Sequence, residues 1–397
     1  MNGEIVAREF LPEDIESFHA LHDAVFPPVP LAEMRRWMAR EDVTAGVAVL
    51  GGEVVGEIPL HVREFVIRPG VTARLAFEHS VCVRAEMRGE GVGSAIQEEM
   101  KRFMRGRAEV LSVYRGGERT PAYRHYWKNG LTDLCYLRTW TLAEPGAVAA
   151  RAGAVLLPEA ILGREREFLA VFTDACGDAG GYQRRVPGFY ATAFTQLEAV
   201  ETGTQYSALV AEEGGRLLGH CIIGAHGGEV SVMELATRGG DLEMAASLVR
   251  GACRVAAEGG ARVTVELHDR GRYRPVFEEL GFTPRPRGNM IMGTPLDWEA
   301  LAALVWVPQP ELTEVQVELW TPDEEAVIHR PAGAPERAIT IECKHEQAVR
   351  WLMSRLDLPA AYGSELLTCR GAQPGDIEAL GRAIPFTPWE YQGIDHI

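Results

Sequence analysis

Apolar and polar positions along this chain alternate and break in a way that predicts a mixed α/β protein. Ile5 to Phe10 reads as a strand, and Pro12 to Phe26 as a helix that begins at a Pro-Glu-Asp turn. The run VAVLGGEVVGEI folds two apolar strands at Gly51-Gly52, a β-hairpin signature. Val81 and Val83 then alternate as in a half-buried strand. The turn Arg88-Gly-Glu-Gly-Val-Gly-Ser94 follows, and Ser94 to Arg105 reads as a helix with Ile96, Met100, Phe103 and Met104 on one side.

Residues 206–222, YSALVAEEGGRLLGHCI, repeat the hairpin with a bend at Gly214-Gly215. Behind each hairpin stands an Arg-Gly pair, Arg88-Gly89 and Arg238-Gly239. Behind each pair stands an aromatic helix end, HYWKNGL closing at Gly130 and VFEELGF closing at Gly281. The two intervals from arginine to final glycine agree to within one residue, which indicates two related α/β domains in tandem. The first copy carries extra residues in its β-rich part. Beyond Trp298 the pattern changes: strands are expected at Val315–Leu319, around Ala326 to His329, at Ala338–Cys343 and at Leu366–Cys369. Helices are expected at Glu346–Leu356 and Gly375–Arg382. The expected domains are 1–145, 146–296 and 297–397.

The glycine turn carries the chemistry. Successive N–H groups at a helix start, with the positive end of the helix dipole behind them, cradle phosphate oxygens. Glycine at 89, 91 and 93 lets the main chain come close to such an anion. A Walker loop would need Lys-Ser or Lys-Thr after its last glycine, and a dinucleotide fingerprint would need G-x-G-x-x-G; neither is present. The pattern Arg-x-x-Gly after a V-x-V strand resembles motif A of the GCN5-related N-acetyltransferases, the GNAT superfamily, which binds the pyrophosphate of coenzyme A. In the second copy RGGDLEMAAS replaces RGEGVGS. Asp241 and Glu243 there would repel a pyrophosphate, so that copy is expected to keep the fold without the cofactor.

Composition narrows the setting. Hydrophobic residues make up 46% and charged residues 24%, as in an ordinary globular protein. No apolar run approaches the ~20 residues of a membrane span, and MNGEIVAREF lacks a signal-peptide core. Seven scattered cysteines without a C-x-x-C pair argue against a disulfide framework and a zinc site, and for a reducing cytoplasm. No metal is expected. A net charge of -16 disfavours nucleic acid and anionic membranes as partners and suits a cationic substrate.

A GNAT domain with an intact glycine loop, a degenerate second copy and a C-terminal domain of roughly a hundred residues resembles the enhanced intracellular survival (Eis) family. The resemblance implies two tandem GNAT-like mixed sheets flanked by helices, then a smaller sterol-carrier-protein-like α+β domain. It also implies an acetyl-CoA-dependent N-acetyltransferase acting on amines of a small, polycationic molecule. A homo-oligomer, in that family a hexamer, comes with it.

By the same match, Val81, Cys82 and Val83 offer main-chain groups to the pantetheine arm. Arg88, Gly89, Glu90, Gly91, Val92, Gly93 and Ser94 hold the pyrophosphate, and Pro121 and Ala122 at the next helix start also meet the cofactor. The N–H of Val83 is the expected donor to the thioester carbonyl. Tyr126, four residues before Gly130, matches the Y-x-x-x-G helix end of GNAT proteins and is the expected general acid. A phenol with a pKa of about 10 is still protonated at neutral pH. The second copy has Phe277 in that place, and Tyr123 is the fallback one turn earlier. For the base, the resemblance points to the C-terminal carboxylate, here Ile397. Glu78 or His79 on the cofactor strand, and Asp395 or His396 in the tail, are alternatives. His19 and His22 lack a third ligand and read as a helix face. A non-catalytic acyl-CoA- or lipid-binding protein is the rival function, although sensing alone needs no acid at Tyr126.

Overall fold

The computed structural model describes residues 4–116, 120–150, 154–200, 203–268 and 270–396. The chain divides into two compact units. One is Met1–Phe65, Val71–Leu134 and Met290–Phe386; the other is Val66–Gly70, Cys135–Asn289 and Thr387–Ile397.

In the first unit β1 (Val6–Glu9) is followed by α1 (Ile15–Asp23) and α2 (Leu31–Met38). Next come β2 (Val43–Leu50), β3 (Glu53–Arg68), β4 (Val71–Glu78) and a two-residue β5 (Cys82–Val83). Then follow α3 (Val92–Met104), β6 (Val110–Gly116), α4 (Pro121–Lys128) and the start of β7 (Thr132–Leu142), which belongs to the second unit from Cys135 on. The strand order is β1-β2-β3-β4-β6. The hairpin β2–β3 turns at Gly51 and Gly52, both at positive φ, as the glycine pair predicts.

Two apolar layers cover this sheet. Ile96, Met100 and Met104 of α3 lie against Ala48, Val55, Ile58 and Ala76 on one face. Ile15, Phe18 and Leu21 of α1 and Met34 of α2 lie against Ala45, Val47 and Val54 on the other. α3 sits close because Gly46 and Gly56 have no side chains: a Cβ there would come within 2.6 Å and 2.9 Å of Ile96.

One expectation changes. The strand at Val81–Val83 does not continue from Glu78. The β4–β6 ladder, parallel, ends at Glu78↔Val113. The His79 N–H then donates to Pro59 O (2.9 Å), and Ser80 turns through a left-handed conformation (φ 42°). Cys82 and Val83 next pair with Glu57 and Gly56 of β3. β6 meanwhile runs on to Gly116. The two strands that share a ladder up to Glu78 therefore part beyond it.

The same unit holds the separate sheet of Val315–Trp320, Glu325–His329, Arg337–Cys343 and Leu367–Arg370, with the strand Glu325–His329 at one edge. Helix His345–Leu352 is shorter than its pattern suggests. Ser354 takes φ 57° and breaks it, and a second helix, Leu358–Gly363, starts behind an Asp357 cap that accepts from Ala360 N–H (3.2 Å). The Asp-Leu-Pro sequence is a helix-start signal that the periodicity hides.

The second unit repeats the plan. Its hairpin, Gln205–Glu213 and Arg216–His226, turns at Gly214-Gly215. Strand Glu229–Thr237 and helix Leu242–Glu258 follow. The ladder pair Gly219↔Thr237 stands where the first copy has Gly56↔Val83. Gly219 also lets the helix sit close, since a Cβ there would meet Met244 Sδ at 2.9 Å. The mixed α/β class with tandem related domains is what the pattern predicts.

Candidate functional site

The three glycines of the loop do different work. Gly89 and Gly91 have φ of +88° and +82°, where side chains are strained, and a Cβ on either would point into open space. Gly91 is the residue before the first turn of α3, so the N–H groups of Val92, Gly93 and Ser94 have no intrahelical acceptor. Gly93 is ordinary helix; its Cβ would stand 3.1 Å from Cε1 of His125, so it makes room for α4 rather than for a ligand. Glu90 is exposed and carries no backbone constraint, while Val92 anchors the first turn in the core. Ser94 Oγ accepts from Asn129 Nδ2 (3.3 Å) and Arg88 Nε donates to Val83 O (3.0 Å). Pro121 and Ala122 form the exposed first turn of α4, behind a Thr120 cap.

In an antiparallel ladder, successive residues turn their main-chain groups alternately toward and away from the partner. Arg84 N–H donates to Val55 O (2.8 Å), which places residues 84 and 82 toward β3. Val81 and Val83 therefore turn their N–H and C=O groups the other way, to the side β6 has left. Cys82 does not, and its place among candidate cofactor contacts is corrected accordingly: it supplies a buried side chain, packed under α1, and no free main-chain pair.

Where β4 and β6 part, polar side chains gather. Glu78, the last residue of β4, is buried, and Gln97 of α3 donates its amide to the carboxyl. Burial pushes Glu78 up to about 8, against the opposing pull of Gln97 and Lys101. Tyr126 is 5% exposed, and burial, with the Glu78 charge adding to it, drives its phenol well above the ordinary tyrosine range. It is a protonated donor at any physiological pH. Arg115 of β6, buried alongside, opposes that shift and donates to Thr120 Oγ1 (2.7 Å). Tyr123 is committed elsewhere: its hydroxyl donates to Asp133 Oδ2 (3.1 Å) and its ring stacks on Trp127.

The other candidates separate. His79 has its ring between Trp37 and His61, 6.2 Å from each. His19 and His22 diverge, His19 Nε2 to Val29 O (2.6 Å) and His22 Nδ1 to Glu57 Oε1 (3.2 Å). No group of three or more His, Cys, Asp or Glu side chains placed to hold a metal occurs among the described residues. Also among them, no helix is long and apolar enough to cross a membrane.

Asp395 is wholly occupied within the second unit, where it bonds Arg185 and accepts from Gln183 N–H (3.1 Å). His396 closes a short 3₁₀ turn from Gly393, and Ile397 lies outside the described residues. Sequence reasoning missed Gln97, Arg115 and Glu57. The signal for Gln97 and Glu57 was a polar residue on an otherwise apolar stripe, in SAIQEEM and in VVGEIPL.

The second copy fills its own corresponding places. Gly239 N–H, at the position of Gly89, donates to Asp174 Oδ2 (2.7 Å). Thr237 N–H, at the position of Val83, donates to the Tyr273 hydroxyl (3.0 Å). Asp241 serves as helix cap by accepting from Met244 N–H (2.9 Å). Phe277 is fully buried against Phe282.

Residues 9–131 match the acetyltransferase (GNAT) family. This segment is similar to a GNAT domain. No curated protein matches the sequence. Solved structures extend the likeness to the whole chain. A conserved protein of unknown function from Enterococcus faecalis V583, described as a probable N-acyltransferase, has a TM-score of 0.72 at 11% identity, covering 98% of this chain and 99% of its own. A GCN5-related N-acetyltransferase from Kribbella flavida has 0.67 at 16%, with 100% and 99% covered. Eis1 from Mycobacterium abscessus has 0.60 at 14%, with 97% and 99% covered. At such identities the likeness is one of fold. The GNAT family uses acetyl-CoA as co-substrate, and the glycine loop, the parted strands and Tyr126 all belong to the matched segment or its borders.

Proposed function

We propose that the chain is an acetyl-CoA-dependent N-acetyltransferase of Eis-type organisation, acting on amines of a small, polycationic molecule. The observation that carries this is the conjunction in one domain of three things. These are a left-handed glycine loop opening a helix, a parting of strands with main-chain groups turned into it, and a buried protonated phenol beside that parting.

The residues fit the co-substrate. Gly89 and Gly91 leave open the space a Cβ would take, and the first-turn N–H groups of α3 supply the anion site. Val81 and Val83 pair the pantetheine as an added strand would be paired, and the Val83 N–H stabilises charge on the thioester oxygen. The neutral amine nitrogen bonds to the thioester carbon and gives its surplus proton to a base, the carbon–sulfur bond breaks, and Tyr126 gives its proton to the departing thiolate. A net charge of -16 favours a cationic acceptor. The fold likeness to Eis1 over 97% of the chain supports reading residues 297–397 as a sterol-carrier-protein-like domain; a homo-oligomer belongs to the same proposal.

The test is titration calorimetry with acetyl-CoA followed by CoA release against a panel of amines. Gly91→Asp places a carboxylate and a strained backbone at the cradle, and affinity should fall at least tenfold. Unchanged affinity in that variant, or no CoA release with any amine, defeats the reading.

A further inference from the structure

One buried ionisable pair plays no part in the chemistry above. Glu57 of β3 is fully buried, and His22 Nδ1–H of α1 donates to its Oε1 (3.2 Å). Among the described residues the His22 ring makes no second hydrogen bond, it packs on the Phe26 ring (5.0 Å), and the side chain keeps 9% of its surface. A lone carboxylate under a sheet is costly to hold, and one imidazole is a sparse neutraliser for it. Burial pushes Glu57 above the ordinary carboxylate range while His22 pulls it back.

The pair is not placed at random. Glu57 faces Cys82 across the ladder, and its neighbour Gly56 faces Val83. Side chains directly opposite in a ladder share a face. Cys82 packs with Phe18 and Leu21 under α1, so Glu57 and His22 stand on the α1 face of the segment that turns Val83 into the parting. Tyr126, Glu78 and Gln97 stand on the α3 side of the same segment. A thioester bound at Val83 thus has a proton donor on one side of the sheet and an imidazole backed by a carboxylate on the other.

We propose that His22 is the general base of the transfer and Glu57 its positioning residue. This rests on the acetyltransferase reading. When the amine nitrogen has bonded to the carbonyl carbon it carries a surplus proton, which His22 Nε2 takes. The carbon–sulfur bond then breaks, and the thiolate takes the Tyr126 proton. Solvent returns one proton to the phenolate and removes one from the imidazolium, leaving amide and free CoA thiol. Besides His22, the titratable groups that bear on Glu57 are Cys82 of β5 and His19 of α1, and His19 itself pairs with Asp23; Leu31 and Met34 of α2 add only apolar surface to that layer.

The experiment uses the full chain, acetyl-CoA and spermidine, with CoA release followed across pH. His22→Gln keeps a donor toward Glu57 but cannot take the proton. Its kcat should fall by roughly 10²–10⁴, with acetyl-CoA affinity unchanged by calorimetry. The acidic limb of kcat/KM, where the imidazole is protonated, should vanish. Glu57→Gln, nearly isosteric, should keep that limb and move it to lower pH, because the imidazolium has lost its anion. His22→Gln with most of its kcat, or with its acidic limb intact, overturns the proposal alone. A wild-type chain that binds acetyl-CoA yet releases no CoA with any amine overturns the acetyltransferase reading and the base with it. Should His22→Gln fail to fold, Glu57→Gln decides: an unmoved limb overturns the proposal, a shifted one supports it.

Discussion

The two copies share a backbone plan and differ in who occupies the donors. In the first, the N–H groups at the loop and at Val83 point toward space; in the second, Asp174 and Tyr273 take the matching N–H groups at Gly239 and Thr237. On the proposed function, the lone pairs of a carboxylate and a phenol there replace those that a phosphate and a thioester would offer in the first copy. Asp241, whose charge the sequence sets at this loop, caps the helix through Met244 N–H, so a carboxylate already stands at the helix start. The lesson is that a cofactor site is lost most economically when the protein satisfies the same donors from within, since a buried N–H left alone costs about 1–3 kcal/mol.

Replacing Tyr126 by Phe imports the residue of the second copy, Phe277, into the first. Turnover should drop by roughly 10²–10⁴ with acetyl-CoA affinity nearly intact. Steady-state kinetics beside calorimetry check this, and retained activity in Tyr126→Phe but not in Tyr123→Phe would move the acid one helical turn.

The tail comes next. Arg185 lies between the rings of Phe172 and Phe189 (4.2 and 4.0 Å) and meets both Glu234 (2.7 Å) and Asp395. Deleting residues 393–397 leaves that buried guanidinium short of one anion, at a cost of about 3–5 kcal/mol. Thermal unfolding should show the second unit melting early. An unchanged melt would mean the tail is dispensable for stability, in keeping with the sequence expectation that its removal abolishes transfer without unfolding the protein.

Glu78 gives a pH signature to the parting of β4 and β6 in the first copy. Burial holds its pKa in the folded chain at about 8, above the ordinary carboxylate value of 4.5. The stability it carries is therefore complete below the unfolded value and is lost as pH rises through the folded one. Glu78→Gln should match wild type near pH 4 and gain on it steadily toward pH 8, each unit being worth about 1.4 kcal/mol at most. Parallel stability curves in denaturant at the two pH values would refute the shift.

The smallest effect is in the second copy itself. Tyr273→Phe strips the buried Thr237 N–H of its acceptor and should cost about 1–3 kcal/mol, while calorimetry still counts one acetyl-CoA per chain. A second bound equivalent would show that this hydroxyl alone had closed the site.

Local features were legible in the sequence. Gly51-Gly52, Gly214-Gly215 and the 89–93 loop are visible because a turn needs its glycines at fixed neighbouring positions. Tyr126 was legible by its distance from Gly130. What could not be read depends on residues far apart in the chain meeting. The break at Ser80 follows from where β3 offers its next partner, a choice made across the sheet. The Glu78–Gln97 pair joins a strand end to a helix, and His22–Glu57 joins a helix to a strand; each looks in sequence like a stray polar residue. The room that Gly93 makes for His125 was hidden for a related reason, since His125 belongs to another helix.

Gly181 has one more consequence. A Cβ there would stand 2.3 Å from Trp389, whose indole N–H donates to Ile67 O (3.0 Å) across 322 residues of chain. During synthesis, Ile67 and Gly181 leave the ribosome long before the tryptophan that seals them. Nascent second units must therefore wait with that slot unplugged and its apolar lining bare. That interval is when holding chaperones would engage this chain, and when crowding on a polysome would favour a neighbour's tail docking in place of its own.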